Sequence, residues 1–153
     1  MYKIVRAEEL TTNIYLFEVE AKRVAKACLP GQFVIVRTGE DGERIPLTIS
    51  DYNREIGAGT NEMRDLKAGD FFHDFVGPLG QPSEFCKEDI EELKKKKIIF
   101  VAGGLGTAPV YPQVKWLHEQ GVLADVIIGA KNKDLLIYEE EMKKVAGNVY
   151  PTT

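Results

Sequence analysis

The stretch Ile98-Ile99-Phe100-Val101-Ala102-Gly103-Gly104-Leu105-Gly106-Thr107-Ala108-Pro109 decides how the rest of the chain is read. Five consecutive apolar residues are what a strand buried on both faces requires, and such strands belong to parallel sheets. The glycines that follow would let a backbone approach a pyrophosphate, and a helix beyond them would offer free N–H groups. Pro109 stands where the first turn of a helix tolerates it. Val110, Val114 and Leu117 then recur at helical spacing until Gly121. The spacing is G-G-x-G-x-x-P, not G-x-G-x-x-G, so the loop taken alone also reads as a tight turn needing positive φ.

Downstream, Ala124–Ile128 is a second apolar run read as a buried strand. Asp134 is expected to cap a helix carrying Leu135, Tyr138, Met142 and Val145, which Gly147 ends. Val149-Tyr150 opens a third strand. Strand, helix, strand, helix predicts a parallel sheet with crossovers. Upstream the texture is different. Lys3–Arg6, Asn13–Glu20, Gln32–Arg37, Ile45–Ile49 and Asp70–Val76 read as short strands, separated by Pro30-Gly31, Gly39–Gly42 and the closing Gly77–Gly80. A short helix is expected over 61–66, capped by Thr60. Strands at this spacing predict a barrel or sandwich.

The 153 residues are 44% apolar and 29% charged, with a net charge of −4. An acidic balance excludes nucleic acid as the expected partner, because phosphate binding needs a basic field. Lys3, Arg6, Glu8 and Glu9 at the start do not fit a signal peptide. No apolar run approaches the ~18 residues of a membrane helix. No membrane partner is expected, and the expected location is cytoplasmic. Cys28 and Cys86 have no disulfide, zinc or cluster spacing. His73 and His118 are expected to be structural or solvated.

Two further motifs carry chemistry. In Arg44-Ile45-Pro46-Leu47-Thr48 an arginine opens a strand where it could meet a phosphate, and a threonine lies four residues on. An edge-strand arginine facing water is the plain alternative. Gly57-Ala58-Gly59-Thr60 heads the expected short helix, either as a second anion site or as a simple cap.

Together, R-x-P-L-T, G-x-G-T, G-P-L-G and V-A-G-G-L-G-T-A-P occur in an order that resembles ferredoxin–NADP reductase-like flavoproteins. Pro30-Gly31-Gln32-Phe33 and Ile128–Asp134 fit the same group. Within it the chain is similar to the small subunits of NADH-dependent ferredoxin:NADP oxidoreductase and sulfide dehydrogenase. It also resembles the dihydroorotate dehydrogenase electron-transfer subunit and the cytochrome-c3 hydrogenase gamma subunit.

The resemblance implies a Greek-key, FAD-binding β-barrel over residues 1–93. An incomplete α/β Rossmann-like parallel sheet, the start of an NAD(P)-binding domain, would follow over 94–153. It implies that Arg44 holds the FAD pyrophosphate, that Pro46, Leu47 and Thr48 lie along the isoalloxazine, and that Gly59 and Thr60 receive FAD phosphates. Gly103, Gly104, Gly106 and Thr107 would cradle the NAD(P) pyrophosphate, with Asn132 or Lys131 towards its ribose. The implied function is that of a flavin oxidoreductase subunit. It would move electrons between NAD(P)H, FAD and an iron–sulfur or larger flavoprotein partner subunit. No catalytic acid–base residue and no metal ligand is expected. The alternative is a non-catalytic dinucleotide-binding or assembly module.

The chain departs from the family pattern in two places. Relatives continue into a cysteine cluster holding an iron–sulfur centre, so such a cluster is expected only in a longer chain and the stop at Thr153 is read as a truncation. A barrel strand expected after Tyr52 is missing, because Ile56-Gly57 follows Glu55 directly. Glu55 and Ile56 are therefore expected to flank a dropped stretch.

Overall fold

The computed structural model describes residues 1–52, the main chain of 58–60, and residues 65–153. The junction of Glu55 with Ile56 lies outside the described residues, as do residues 61–64 of the expected short helix.

Tyr2–Thr11 (β1) and Ile14–Val19 (β2) form an antiparallel hairpin. Asn13 turns it with a φ of 64°, a conformation Asn tolerates better than most residues. β1 runs well past the expected Lys3–Arg6. Phe33–Arg37 (β3) and Ile45–Thr48 (β4) form a second antiparallel pair. Lys22–Ala27 (α1) sits between the two pairs in sequence and buries Val24 and Ala25.

Two elements differ from expectation. Ala58–Thr60 forms a strand (β5) on the outer side of β2, where a helix start is predicted, and Asp65 and Leu66 are not helical. The segment expected as one strand over Asp70–Val76 divides into Phe71–Phe72 (β6) and Asp74–Leu79 (β7). The division occurs because β6 pairs with β1 while β7 pairs with β3. His73 is the corner, its N–H bonded to the Arg37 carbonyl at 2.7 Å.

The resulting sheets are β5-β2-β1-β6 and β4-β3-β7. They enclose Ile4, Phe17, Val19, Val34, Val36, Leu47, Phe72 and Phe75 as one core. Among the described residues β4 and β5 are not paired, so the architecture is barrel-like without closing.

Ile90–Lys94 (α2) is capped by Asp89, whose carboxylate accepts from Glu92 N–H. Ile98–Gly103 (β8), Thr107–Glu119 (α3), Ala124–Gly129 (β9), Glu139–Val145 (α4) and Val149–Thr152 (β10) follow. The strands are parallel in the order β10-β9-β8. α3 and α4 cover one face: Val126 and Ile128 pack with Val114, Tyr111 and Met142. Leu93 of α2 packs with Leu117, Val122 and Ala124, and Phe85 and Ile90 join it.

The other face is bare, and here the expectation of a strand buried on both sides is corrected. Ile99 is 52% exposed, Val101 74% and Tyr150 53%. Alternate residues of β8 point away from the helices, and no described element lies over them. α4 also begins later than Asp134. Asn132 instead caps a single 3₁₀ turn over Lys133–Leu135, and the helix starts only after Tyr138, whose φ is 61°. Among the described residues no helix is long and apolar enough to cross a membrane.

Candidate functional site

Strand alternation sorts the Arg44–Thr48 motif. Leu47 and Ile49 turn into the barrel core, while Pro46 and Thr48 face outward. Leu47 therefore reaches the outer surface through its main chain rather than its side chain.

On that outer side lies a cleft of about 450 Å³ lined by Gly31, Gln32, Phe33, Pro46, Leu47, Thr48, Ile49 and Pro109. Two motifs separated by some sixty residues thus meet: the outward edge of β4 and the first turn of α3. Gln32 braces the floor, its amide donating to the Gly80 carbonyl and its oxygen accepting from Leu29 N–H, each at 2.9 Å.

Arg44 stands at the far end of β4 from Thr48. Four strand residues span about 13 Å, so Thr48 and Arg44 mark the two ends of one strand edge. The Arg44 side chain is 66% exposed and lies 3.6 Å from the Asp74 carboxylate. Arg37 holds the same carboxylate at 2.9 Å. Partial burial pushes the Asp74 carboxyl up, but the His73 hydrogen bond and the Arg37 guanidinium outweigh it and hold it below its ordinary value. A firmly ionised Asp74 keeps both arginines at this end of the sheet.

At the head of α3, Gly103 ends β8 and Gly104–Gly106 make a 3₁₀ turn leading into the helix. Gly104 has a φ of 53°. A Cβ on either Gly104 or Gly106 would meet nothing within 4 Å, so the loop faces open space. Thr107 is fully buried and its Oγ1 has no hydrogen-bond partner among the described residues. Gly129 lies beside Gly103 in register, so the segment carrying Lys131 and Asn132 leaves the same carboxyl end of the sheet. Ligands of open α/β sheets bind at that end. Asn132 Oδ1 is engaged in capping, accepting from Leu135 N–H at 3.2 Å. Gly59 and Thr60 belong to β5, away from any described helix start.

Sequence reasoning missed the residues that join β4 to α3. Ser50-Asp51-Tyr52 follows β4 after Ile49, and Lys115 and Glu119 of α3 bond to Asp51 and Tyr52. On the sequence those two look like the solvated face of an amphipathic helix.

No family model matches the chain. A protein from Clostridium beijerinckii, described as an uncharacterized protein in the adh 3′ region, is 60% identical over all of this chain and 55% of its own length. That alignment runs over 163 positions, so this relative carries residues that the 153-residue chain does not. A dihydroorotate dehydrogenase B (NAD(+)) electron transfer subunit homolog from Thermotoga maritima is 37% identical over 94% of this chain and 52% of its own.

Among solved structures, NADH-dependent reduced ferredoxin–NADP oxidoreductase, described for flavin-based electron bifurcation, superposes with a TM-score of 0.83. The identity is 31%, over 99% of this chain and 56% of the other. A ferredoxin–NADP⁺ reductase from Plasmodium falciparum gives 0.75 at 19% identity, over 99% of this chain and 68% of that one. The chain has the ferredoxin–NADP reductase-like fold. Its homologues include electron transfer subunits of dihydroorotate dehydrogenase B. It spans about half the length of the curated relatives it matches.

Proposed function

We propose that this chain binds FAD along the outer edge of β4 and NAD(P)H at the head of α3, as an electron-transfer part of a flavin oxidoreductase. The observation that carries this is the cleft in which Pro46, Leu47 and Thr48 face Pro109. One cleft bordered by both motifs suits two stacked rings, one held from each side. The residues present fit both groups. Arg44 and Arg37 supply positive charge at the phosphate end of β4. The open glycine turn and the unpartnered Thr107 hydroxyl supply donors and room at the helix head.

When bound, the cofactors would supply the redox chemistry, a flavin being able to take electrons as a pair and give them singly. The protein's part is to bind, to align the rings and to exclude water. Thr48 would lie near the ring edge, and Asn132 or Lys131 near a ribose. Gly59 and Thr60 remain candidates for FAD phosphates.

The two functional halves are better divided before Phe85 than at residue 93, because Phe85, Ile90 and Leu93 pack with α3 and β9. A cytoplasmic flavoprotein or iron–sulfur partner subunit would take the electrons. An iron–sulfur cluster would belong to longer relatives, since Cys28 and Cys86 are not spaced to hold one.

The test is reconstitution of the purified chain with FAD and with FMN. FAD should be retained, with a protein-bound flavin spectrum, and should bind more tightly than FMN, because only FAD brings a pyrophosphate to Arg44. Arg44→Ala should weaken FAD by about 1.5–3 kcal/mol, the worth of hydrogen bonds to a charged group, and leave riboflavin, which has no phosphate, nearly unchanged. Equal affinities for the two flavins in the unmodified chain would sink the assignment.

A further inference from the structure

Ser50, Asp51 and Tyr52, which follow β4 after Ile49, are tied to α3 and to the start of α4 by polar contacts that cofactor binding does not use. Lys115 Nζ lies 2.6 Å from Asp51 Oδ1 and 2.8 Å from the Tyr52 carbonyl oxygen. It also stands 4.7 Å from the centre of the Tyr52 ring, within cation–π range. The Tyr52 hydroxyl donates to Glu119 Oε2 at 2.9 Å. The Tyr138 hydroxyl donates to Ser50 Oγ at 2.9 Å, and its ring lies 5.1 Å from that of Tyr111. Tyr111, Lys115 and Glu119 are spaced by four and share one helix face. Tyr138 keeps a left-handed backbone that a bulky residue holds only where its surroundings fix it.

These contacts join two separate cores. Tyr52, Ile49 and Leu47 belong to the barrel core; Tyr111, Tyr138 and Val114 belong to the core under the parallel sheet. Leu10 and Ile14 at the hairpin tip also pack against the second core. Apolar contact of that kind is non-directional. It brings the halves together without fixing their register, whereas an ammonium with two oxygen acceptors and a ring face fixes direction as well. α3 is a stiff rod of 13 residues, about 20 Å long. Its first turn borders the cleft, and its later turns carry Lys115 and Glu119. Whatever holds those two against Asp51 and Tyr52 sets how far Pro109 stands from Thr48.

We propose that Asp51, Tyr52, Lys115 and Glu119 form a latch that sets the gap between the flavin strand and the head of α3. Lys115 and Tyr52 are thus positioning residues for the stacking of the two rings. The inference rests on the cleft being the two-cofactor site. An exposed ion pair alone would carry little. Removing Lys115, however, takes the ammonium donor from the Tyr52 carbonyl and the cation from the half-buried Asp51 carboxylate, which keeps the Tyr52 N–H at 2.7 Å.

Lys115→Met keeps the aliphatic stem and removes the charge; Tyr52→Phe removes only the bond to Glu119. In the FAD-loaded chain, Lys115→Met should hold FAD within about twofold of the unmodified protein. It should lose the long-wavelength charge-transfer absorbance that NADH or NADPH raises under argon, and its flavin should bleach at least tenfold more slowly at saturating nucleotide. Tyr52→Phe should show the same pattern more weakly. In the cofactor-free chain, Lys115→Met should speed hydrogen exchange over 108–119 while Val34 and Val36 stay protected.

A variant that keeps FAD, the charge-transfer band and native exchange rates overturns the latch. If the unmodified chain takes up no FAD, or shows no band, the proposed function fails instead. The exchange comparison then decides the latch by itself: unchanged rates over 108–119 refute it, and locally faster rates uphold it. Loss of protection at Val34 and Val36 as well would also refute it, since Lys115 would then be a general fold determinant.

Discussion

Gly106 and Gly104 separate a folding role from a binding role within three residues. Gly106 has a φ of −61°, open to any L-residue, and no atom within 4 Å of a would-be Cβ. Gly106→Val should therefore cost the fold only about 1 kcal/mol, the difference between a good and a poor helix cap. It would also put a branched side chain into the space where a pyrophosphate is proposed. Thermal unfolding should be nearly unchanged and FAD retained, while NADH or NADPH bleaches the flavin far less readily; equal bleaching would reduce the loop to a turn. Gly104, with a φ of 53°, should respond differently, because a side chain there strains the backbone by about 1–2 kcal/mol. Asp74 offers a pH test on the other motif. Its carboxyl is held below its ordinary value by His73 and Arg37 against the upward push of partial burial. A carboxyl depressed in the folded state contributes stability that is present above its unfolded value and lost as pH falls through the folded one. Urea titrations should show the unmodified chain losing more stability than Asp74→Asn as pH drops below the carboxylate range. Parallel loss in both would show that Asp74 takes no part.

At the scale of elements, what was legible in the sequence was local. Alternation marked β2, short runs between turn signals marked β3 and β4, and the apolar run ending in glycines marked β8 and the turn into α3. The outward edge of β4 was recoverable too, since Pro46 and Thr48 alternate with Leu47. The break at His73 was not legible, because it arises when successive residues pair with β1 and then with β3, elements more than thirty residues upstream. The bare face of β8 was hidden for a different reason: five apolar residues in a row fit a strand covered on either one face or two. The link from Asp51 to Lys115 crosses 64 residues and leaves no periodic trace. Gly77 shows how closely β7 is fitted to β3. A Cβ there would stand 2.6 Å from Val34 Cγ1, and Val34 is fully buried and cannot swing aside. Gly77→Ala should destabilise the chain by about 1–3 kcal/mol, the usual cost of overpacking a core. Gly39→Ala, where a Cβ meets nothing within 4 Å, should be nearly neutral in the same denaturant titration. Similar midpoints for the two variants would mean that β7 yields more easily than this packing allows.

For the molecule as a whole, the parallel sheet raises the largest unsettled demand. Parallel sheets are ordinarily covered on both faces, yet Ile99, Val101 and Tyr150 lie open on one side of this one. The relatives are about twice as long, so a face that is bare here need not be bare in them. Contiguous exposed apolar surface drives association, and for the 153-residue chain in isolation the available cover is the same face of a second copy. Sedimentation velocity should show the weight-average mass rising with protein concentration above the 17.1 kDa of one chain. Val101 is the substitution of choice because it is 74% exposed and packs against little. Val101→Lys should change unfolding stability by less than about 1 kcal/mol, the span of strand propensity. The added charges would repel across any face-to-face contact, so the variant should stay monomeric where the unmodified chain does not. Arg44 and the cleft lie on other surfaces, so FAD uptake should be the same in both. If the unmodified chain sediments as a monomer at every concentration, the bare face does not drive association. If Val101→Lys associates as strongly as its parent, the contact lies elsewhere on the molecule.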